Sequence, residues 1–201
     1  MDTTSRPVAT LTTDKKNMPP LRSGGLILRD FRPVDLIAFQ RLRSDPKMQR
    51  FYSEQDSSDE RAEQLLQMFM EQADALPRTK FQFAVESEAG ELMGTCGIRI
   101  ESPGTASIGC EIGRQWHGTG AAKAAAFAIL EFGFVELKLT HIYAETISDN
   151  RAAIRLCEAI GMTVSGERVG DRTFKGRTWN TTVLALTRSG WAAASKGQVF
   201  S

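Results

Sequence analysis

The feature that most constrains this fold is a helical stretch that is apolar on nearly every side. Between Ala121 and Leu137, Ala125, Ala128, Phe132 and Val135 make one apolar line, and Phe127, Leu130, Phe134 and Leu137 make another. Lys123, Glu131 and Lys138 mark a narrow wet stripe. A helix this widely apolar has to be buried, and a sheet is the surface that can bury it. The approach to the helix adds a second constraint. A β-like run from Ile108 to Gly113 passes through Gln115-Trp116-His117-Gly118-Thr119-Gly120-Ala121-Ala122 and then enters it. The first turn of a helix carries unpaired N–H groups and the positive end of the dipole. Gly118 and Gly120 remove the side chains that would hold an anion away from those donors. The turn reads as a cradle for a diphosphate.

Two familiar phosphate motifs do not fit. A dinucleotide fingerprint needs a third glycine and an acidic residue about 20 positions on, and the third glycine is absent. A Walker A loop needs Gly-Lys-Ser/Thr, which does not follow here. Taken alone, the turn is also compatible with a tight strand-to-helix corner that binds nothing.

The downstream segment favours a ligand. Thr140 to Thr146 alternates like a strand, and Ser148-Asp149-Asn150 supplies an N-cap. Arg151 to Ile160 then reads as a short amphipathic helix ended by Gly161. The ordered pair Gln115-x-x-Gly118-x-Gly120-Ala121 and Asp149-Asn150-x-x-Ala153-x-x-Leu156-Cys157-x-x-x-Gly161-Met162 resembles the GNAT superfamily of N-acyltransferases. The tail from Gly166 through Gly176-Arg-Thr-Trp-Asn-Thr-Thr-Val-Leu-Ala-Leu to Trp191 is similar to the RimJ/RimL-type branch. The resemblance covers about Leu26 to Trp191 and implies an α/β (α+β) fold. In that fold a central mixed, mostly antiparallel sheet has one splayed parallel strand pair and flanking helices.

Composition agrees with a single domain. The chain has 201 residues, 41% of them hydrophobic, enough for a sizeable core. Residues 1–25, rich in Thr, Ser, Pro and Lys, are expected to be a mobile tail, residues 26–191 the domain, and residues 192–201 a frayed end. A formal net charge of +1 gives no basic stripe for nucleic acid or an anionic membrane. No run of about 18 apolar residues predicts a membrane span. Cys96, Cys110 and Cys157 have no CxxC spacing, so they are expected to be reduced thiols in a cytoplasmic protein. The two histidines, His117 and His141, have no metal-ligand spacing, and no metal is expected.

The expected order after residue 25 is strand (Leu26–Arg32), helix (Pro33 to about Ser44), helix (Asp59–Ala75) and a hairpin (Phe81–Val85 with Leu92–Ile100). The strand Ala106–Gly113, the long helix, the strand Thr140–Thr146, the short helix and two closing strands (Thr163–Thr173 and Arg177–Thr187) follow. Phe51 and Tyr52, between the first two helices, are candidates for packing under a loop or for lining an acceptor pocket.

What the resemblance implies for function is acetyl transfer from acetyl-CoA, as co-substrate, to an amine on a protein N-terminus or a small molecule. The alternative is a CoA-binding sensor or scaffold without catalysis. Pyrophosphate would lie on N–H groups of Gln115, Trp116, His117, Gly118, Thr119, Gly120, Ala121 and Ala122. A backbone N–H near Ile112 and Gly113 would meet the thioester oxygen, and Asn150 the pantetheine arm. Three residues are candidates for the proton chemistry. Glu145 lies five residues before Asn150, where the family's ribosomal-protein acetylating members carry a catalytic glutamate. Glu111 is on the preceding strand. Cys157, at Asn150 plus seven, replaces a tyrosine that protonates the departing thiolate in many relatives; it is either an acid or a packing residue. Arg168, Arg172, Lys175 and Arg177 are a basic cluster that would greet an acidic acceptor or keep a hairpin edge soluble. That edge also offers a surface for a homodimer.

Overall fold

The computed structural model describes residues 18–197. Eight strands form one sheet: β1 (Leu21–Ser23), β2 (Leu26–Asp30), β3 (Lys80–Ser87), β4 (Leu92–Ser102), β5 (Thr105–Ile112), β6 (His141–Ile147), β7 (Thr163–Phe174) and β8 (Arg177–Thr187). Their spatial order is β1-β2-β3-β4-β5-β6-β8-β7. All neighbours are antiparallel except β5 and β6, as expected for a mixed sheet with one parallel pair. The helices are α1 (Leu36–Arg43), α2 (Asp59–Asp74), α3 (Ala121–Glu131), α4 (Arg151–Ala159) and α5 (Arg188–Gly197). Among the described residues no helix is long and apolar enough to cross a membrane.

The sheet separates two cores. On one face α3 places Ala125, Ala126 and Ile129 against Phe81, Phe83, Ile98 and Ile142. On the other, α1 and α2 close over Phe31, Ala84 and Leu92, where the rings of Phe31, Phe39 and Phe69 stand 5.3 to 6.0 Å apart. The entry to α1 is fixed by a buried ion pair: both Asp35 oxygens accept from the Arg29 guanidinium at 2.8 Å. One of those oxygens also accepts from the Arg32 N–H. Such a pair holds an orientation more than it adds net stability, because desolvation offsets most of the attraction.

Three boundaries differ from expectation. Leu21–Ser23 pairs with β2, although it falls in the segment expected to be a tail; three residues are too short to show an alternation. The expected frayed end continues as α5 to Gly197, while residues 1–17 and 198–201 lie outside the described residues. The long helix ends in a π turn, Phe132–Glu136, closed by a Leu137 N–H to Phe132 carbonyl bond. Gly133 touches the sheet there: a Cβ on it would lie 2.7 Å from Ile142 Cδ1 and 2.8 Å from Ile98 Cδ1. Close approach of that turn to the sheet depends on the missing side chain.

The α2 start is capped as its sequence suggests, with Ser58 Oγ accepting from the Arg61 N–H at 3.1 Å. Replacing Ser58 with Ala is expected to lower stability by about 1 kcal/mol, read as a shift of the urea midpoint at unchanged slope.

Candidate active site

The parallel pairing between β5 and β6 runs only from Thr105 opposite His141 to Ile108 opposite Ala144. Beyond it β5 follows β4 as far as Ile112, and β6 follows β8 as far as Ile147. The two strands therefore part, and a cleft of about 1120 Å³ opens in the gap. Its walls come from residues 47–56, the ends of β5 and β6, the starts of α3 and α4, and the end of β7.

The backbone at the end of β5 is oriented by register. The Gly113 N–H donates to the Met93 carbonyl at 2.8 Å. Alternation in an antiparallel ladder then turns the polar groups of Ile112 to the opposite side, toward the gap. The Ile112 carbonyl there accepts from His117 Nε2 at 2.9 Å. The His117 ring is thus tied back to the strand, with Nε2 carrying the hydrogen that the carbonyl accepts.

The cradle is narrower than the sequence suggests, because the loop uses several of its own donors. The N–H of Trp116 donates to Gly113, that of His117 to Arg114 and that of Thr119 to Trp116. Thr119 Oγ1 donates to the Trp116 carbonyl and takes only a long 3.4 Å contact from the Ala121 N–H. Neither Gln115 nor Thr119 lines the cleft. What is left for an anion is the set Gly118, Gly120, Ala122 and Lys123, whose N–H groups have no partner among the described residues. Gly118 (φ +80°) and Gly120 (φ +87°) are left-handed, and a Cβ on either would meet no atom within 4 Å. The space above the donors is open, and α3 has no side-chain cap to fill it.

Asn150 is on the opposite wall. Its Oδ1 accepts from the Ala153 N–H at 3.2 Å, capping α4. The cap consumes the oxygen and leaves the Nδ2 hydrogens for whatever occupies the cleft.

The three proton-transfer candidates are treated very differently by the fold. Glu145 lines the cleft, but both of its oxygens are held by the Arg168 guanidinium at 3.0 and 2.8 Å, with Arg172 at 3.5 Å. The Arg168 hydrogen bonds hold its carboxyl below the usual carboxylate range. A carboxylate so occupied is a weak proton acceptor. Glu111 also lines the cleft, and its contacts fall on one oxygen: Oε2 accepts from the Tyr52 hydroxyl at 2.8 Å and faces Arg43 Nη1 at 3.8 Å. Oε1 has no protein partner among the described residues. Cys157 is buried, outside the cleft wall, and burial pushes its thiol up to about 11. It packs helix on sheet, and its neighbour Leu156 lines the cleft instead.

Tyr52 and Arg43 are the site residues that sequence spacing leaves unpaired with Glu111. Tyr52 lies 59 positions away from it, and no local pattern links them. The basic hairpin cluster is also largely paired within the chain: Arg168 with Glu145 and Asp171, Lys175 with the Gln49 carbonyl, and Arg177 with Asp149. Among the described residues no group of three or more His, Cys, Asp or Glu could hold a metal, and the three cysteines are free.

Comparison with known proteins agrees with this geometry. Residues 25–163 match the model of the acetyltransferase (GNAT) domain. An uncharacterized N-acetyltransferase, p20, from Bacillus licheniformis is 26% identical over 178 residues, covering 87% of this chain and 99% of that protein. The spermidine N-acetyltransferase of Vibrio cholerae, solved with CoA and spermine, superposes with a TM-score of 0.71 at 21% identity, covering 84% of this chain and 98% of that one. RimJ of Mycobacterium smegmatis, solved with CoA-disulfide, gives 0.72 at 19% identity, covering 88% and 93%. At these identities the two structures establish the shared fold.

Proposed function

Because the chain belongs to the GNAT acetyltransferase family, we propose that it transfers the acetyl group of acetyl-CoA to a primary amine by direct attack, with Glu111 as the base. The observation that carries this reading is the parting of β5 from β6 directly beside the open N–H groups of Gly118, Gly120 and Ala122. The diphosphate binds at the start of α3, where donors and dipole act together. The pantetheine arm lies in the gap and takes a hydrogen bond from Asn150 Nδ2. The Ile112 N–H, turned to the gap by the ladder, donates to the thioester oxygen and to the oxyanion that develops from it.

An amine is protonated at neutral pH and must lose that proton before it can attack. Glu111 Oε1 takes it, directly or through one water, while Oε2 stays anchored by Tyr52. The neutral nitrogen adds to the thioester carbon, the adduct nitrogen gives up its remaining extra proton to solvent, the tetrahedral intermediate collapses to the neutral amide, and the C–S bond breaks. The thiolate leaves and is protonated by solvent, which needs no acid from Cys157. The free thiols fit the reducing cytoplasm, and the tail residues together with the likeness to RimJ favour the RimJ/RimL-type branch.

The test is twofold. Titration of CoA into the folded protein should give saturable heat, and acetyl-CoA plus a suitable amine should release CoA thiol in proportion to acetylated amine. Heat without turnover on a broad amine panel would favour a sensor. No heat would remove the assignment altogether.

A further inference from the structure

We propose, building on the acetyl-transfer reading, that the acceptor is a compact monoamine carried on an aromatic or similarly flat apolar body. The acceptor half of the cleft is the part away from α3, between residues 47–56 and the β7–β8 hairpin. Here the hairpin is fastened to the opposite loop. Lys175 Nζ donates to the Gln49 carbonyl at 2.6 Å. The Phe51 ring meets Trp179 edge-on at 5.9 Å, and Phe174 stacks on the same indole at 5.3 Å with an interplanar angle of 17°. Trp179 is buried, whereas Phe51 and Phe174 are half-buried and line the cleft with Met48 and Tyr52. The surface offered to a substrate is therefore aromatic and apolar, and the loop-to-hairpin tie narrows it. Flat apolar bodies are what such rings bind.

Charge decides how many ammonium groups fit. Among the described residues three carboxylates line the cleft: Asp56, Glu111 and Glu145. Asp56 accepts from Ser53 Oγ at 2.6 Å and faces Arg61 at 3.7 Å, while Glu145 is held by Arg168 and Arg172. Among the described residues only Glu111 keeps a carboxylate oxygen in the cleft that no protein group engages. Five cations among the described residues line the same cleft, with Lys47 and Arg172 at the acceptor end. One ammonium can be matched at Glu111. A second or third would face Lys47 and Arg172 with no carboxylate to balance it, which is how a site rejects the wrong ligand. The arrangement discriminates against a polyamine and in favour of a monoamine.

The experiment compares kcat/KM for phenethylamine and tryptamine with that for spermidine and for an unblocked hexapeptide, using the full chain and acetyl-CoA. CoA titration is run on the same preparation. The arylethylamines should exceed both others by about tenfold or more. Phe174→Leu keeps apolar volume but removes the ring face. It should raise KM for the arylethylamines about fivefold or more, within the range seen for altered pocket contacts, while KM for acetyl-CoA holds. If spermidine or the peptide is preferred, or if Phe174→Leu weakens every acceptor equally, the monoamine inference is overturned and acetyl transfer stands. If CoA gives no heat, both fall together.

Discussion

Glu111→Gln is expected to lower kcat by about 10²- to 10³-fold with little change in KM for acetyl-CoA, the range seen when a positioned general base is removed. The substitution keeps the side chain's shape and its ability to accept from the Tyr52 hydroxyl, which lies 2.8 Å from Oε2. What it removes is the capacity to take a proton at Oε1. The loss corresponds to about 2.7 to 4 kcal/mol of transition-state stabilisation. Glu145→Gln is the matched control, because both residues line one cleft and only their partners differ. Releasing a half-exposed ion pair with Arg168 should change stability by about 1 kcal/mol or less, and kcat should stay within about threefold, as for a residue outside the proton path. Steady-state kinetics on the two variants, with thermal melts as a folding check, distinguishes the candidates. Equal losses in both would mean that the carboxylates act as one charged unit, and unchanged kcat in Glu111→Gln would assign proton removal to water.

The contrast between these glutamates shows where sequence reading stops. Both carboxylates can be picked out along the chain, since each sits on a strand bordering the expected cleft. Their partners are 59 and 23 residues away. Only the packing of the α1–α2 connection against β5, and of β7 beside β8, which itself pairs with β6, decides which carboxylate is engaged on both oxygens. Local features were legible because their causes are local. Asn150 caps α4 through a bond three residues on, and the apolar sides of α3 demanded a sheet and found one. The parting of β5 from β6 was implied by resemblance and is explained by register.

Other features depend on competition that a residue pattern does not display. Gln115 to Ala122 looks like eight equivalent donors, yet the loop folds by spending the N–H groups of Trp116, His117 and Thr119 on its own carbonyls. Cys157 looked like a candidate acid because of its spacing from Asn150. Its environment, not its spacing, sets its chemistry: burial raises its thiol to about 11 and keeps it out of the cleft. The π turn at Phe132–Glu136 depends on how Gly133 meets Ile142 and Ile98 across the interface. A helical period read along one chain segment contains none of that information.

The remaining open donors allow the anion site to be tested without disturbing the sheet. Ala122→Pro deletes one N–H in the first turn of α3, where proline is tolerated because that hydrogen has no intrahelical partner. In this chain the first helical bond is from the Ala124 N–H to the Gly120 carbonyl at 3.0 Å, so the substitution breaks no hydrogen bond of the helix. A hydrogen bond to a charged group contributes about 1.5 to 3 kcal/mol, and Kd for CoA should therefore rise about 10- to 150-fold by calorimetry. Dephospho-CoA should lose affinity by the same factor, because it keeps the diphosphate and lacks only the 3′-phosphate. A pantetheine fragment, which has no diphosphate, should bind the variant and the parent protein equally. A uniform loss across all three ligands would point to a distorted cleft. An unchanged Kd for CoA would mean that the diphosphate does not rest on the start of α3, and the placement of the whole substrate in the gap between β5 and β6 would have to be abandoned.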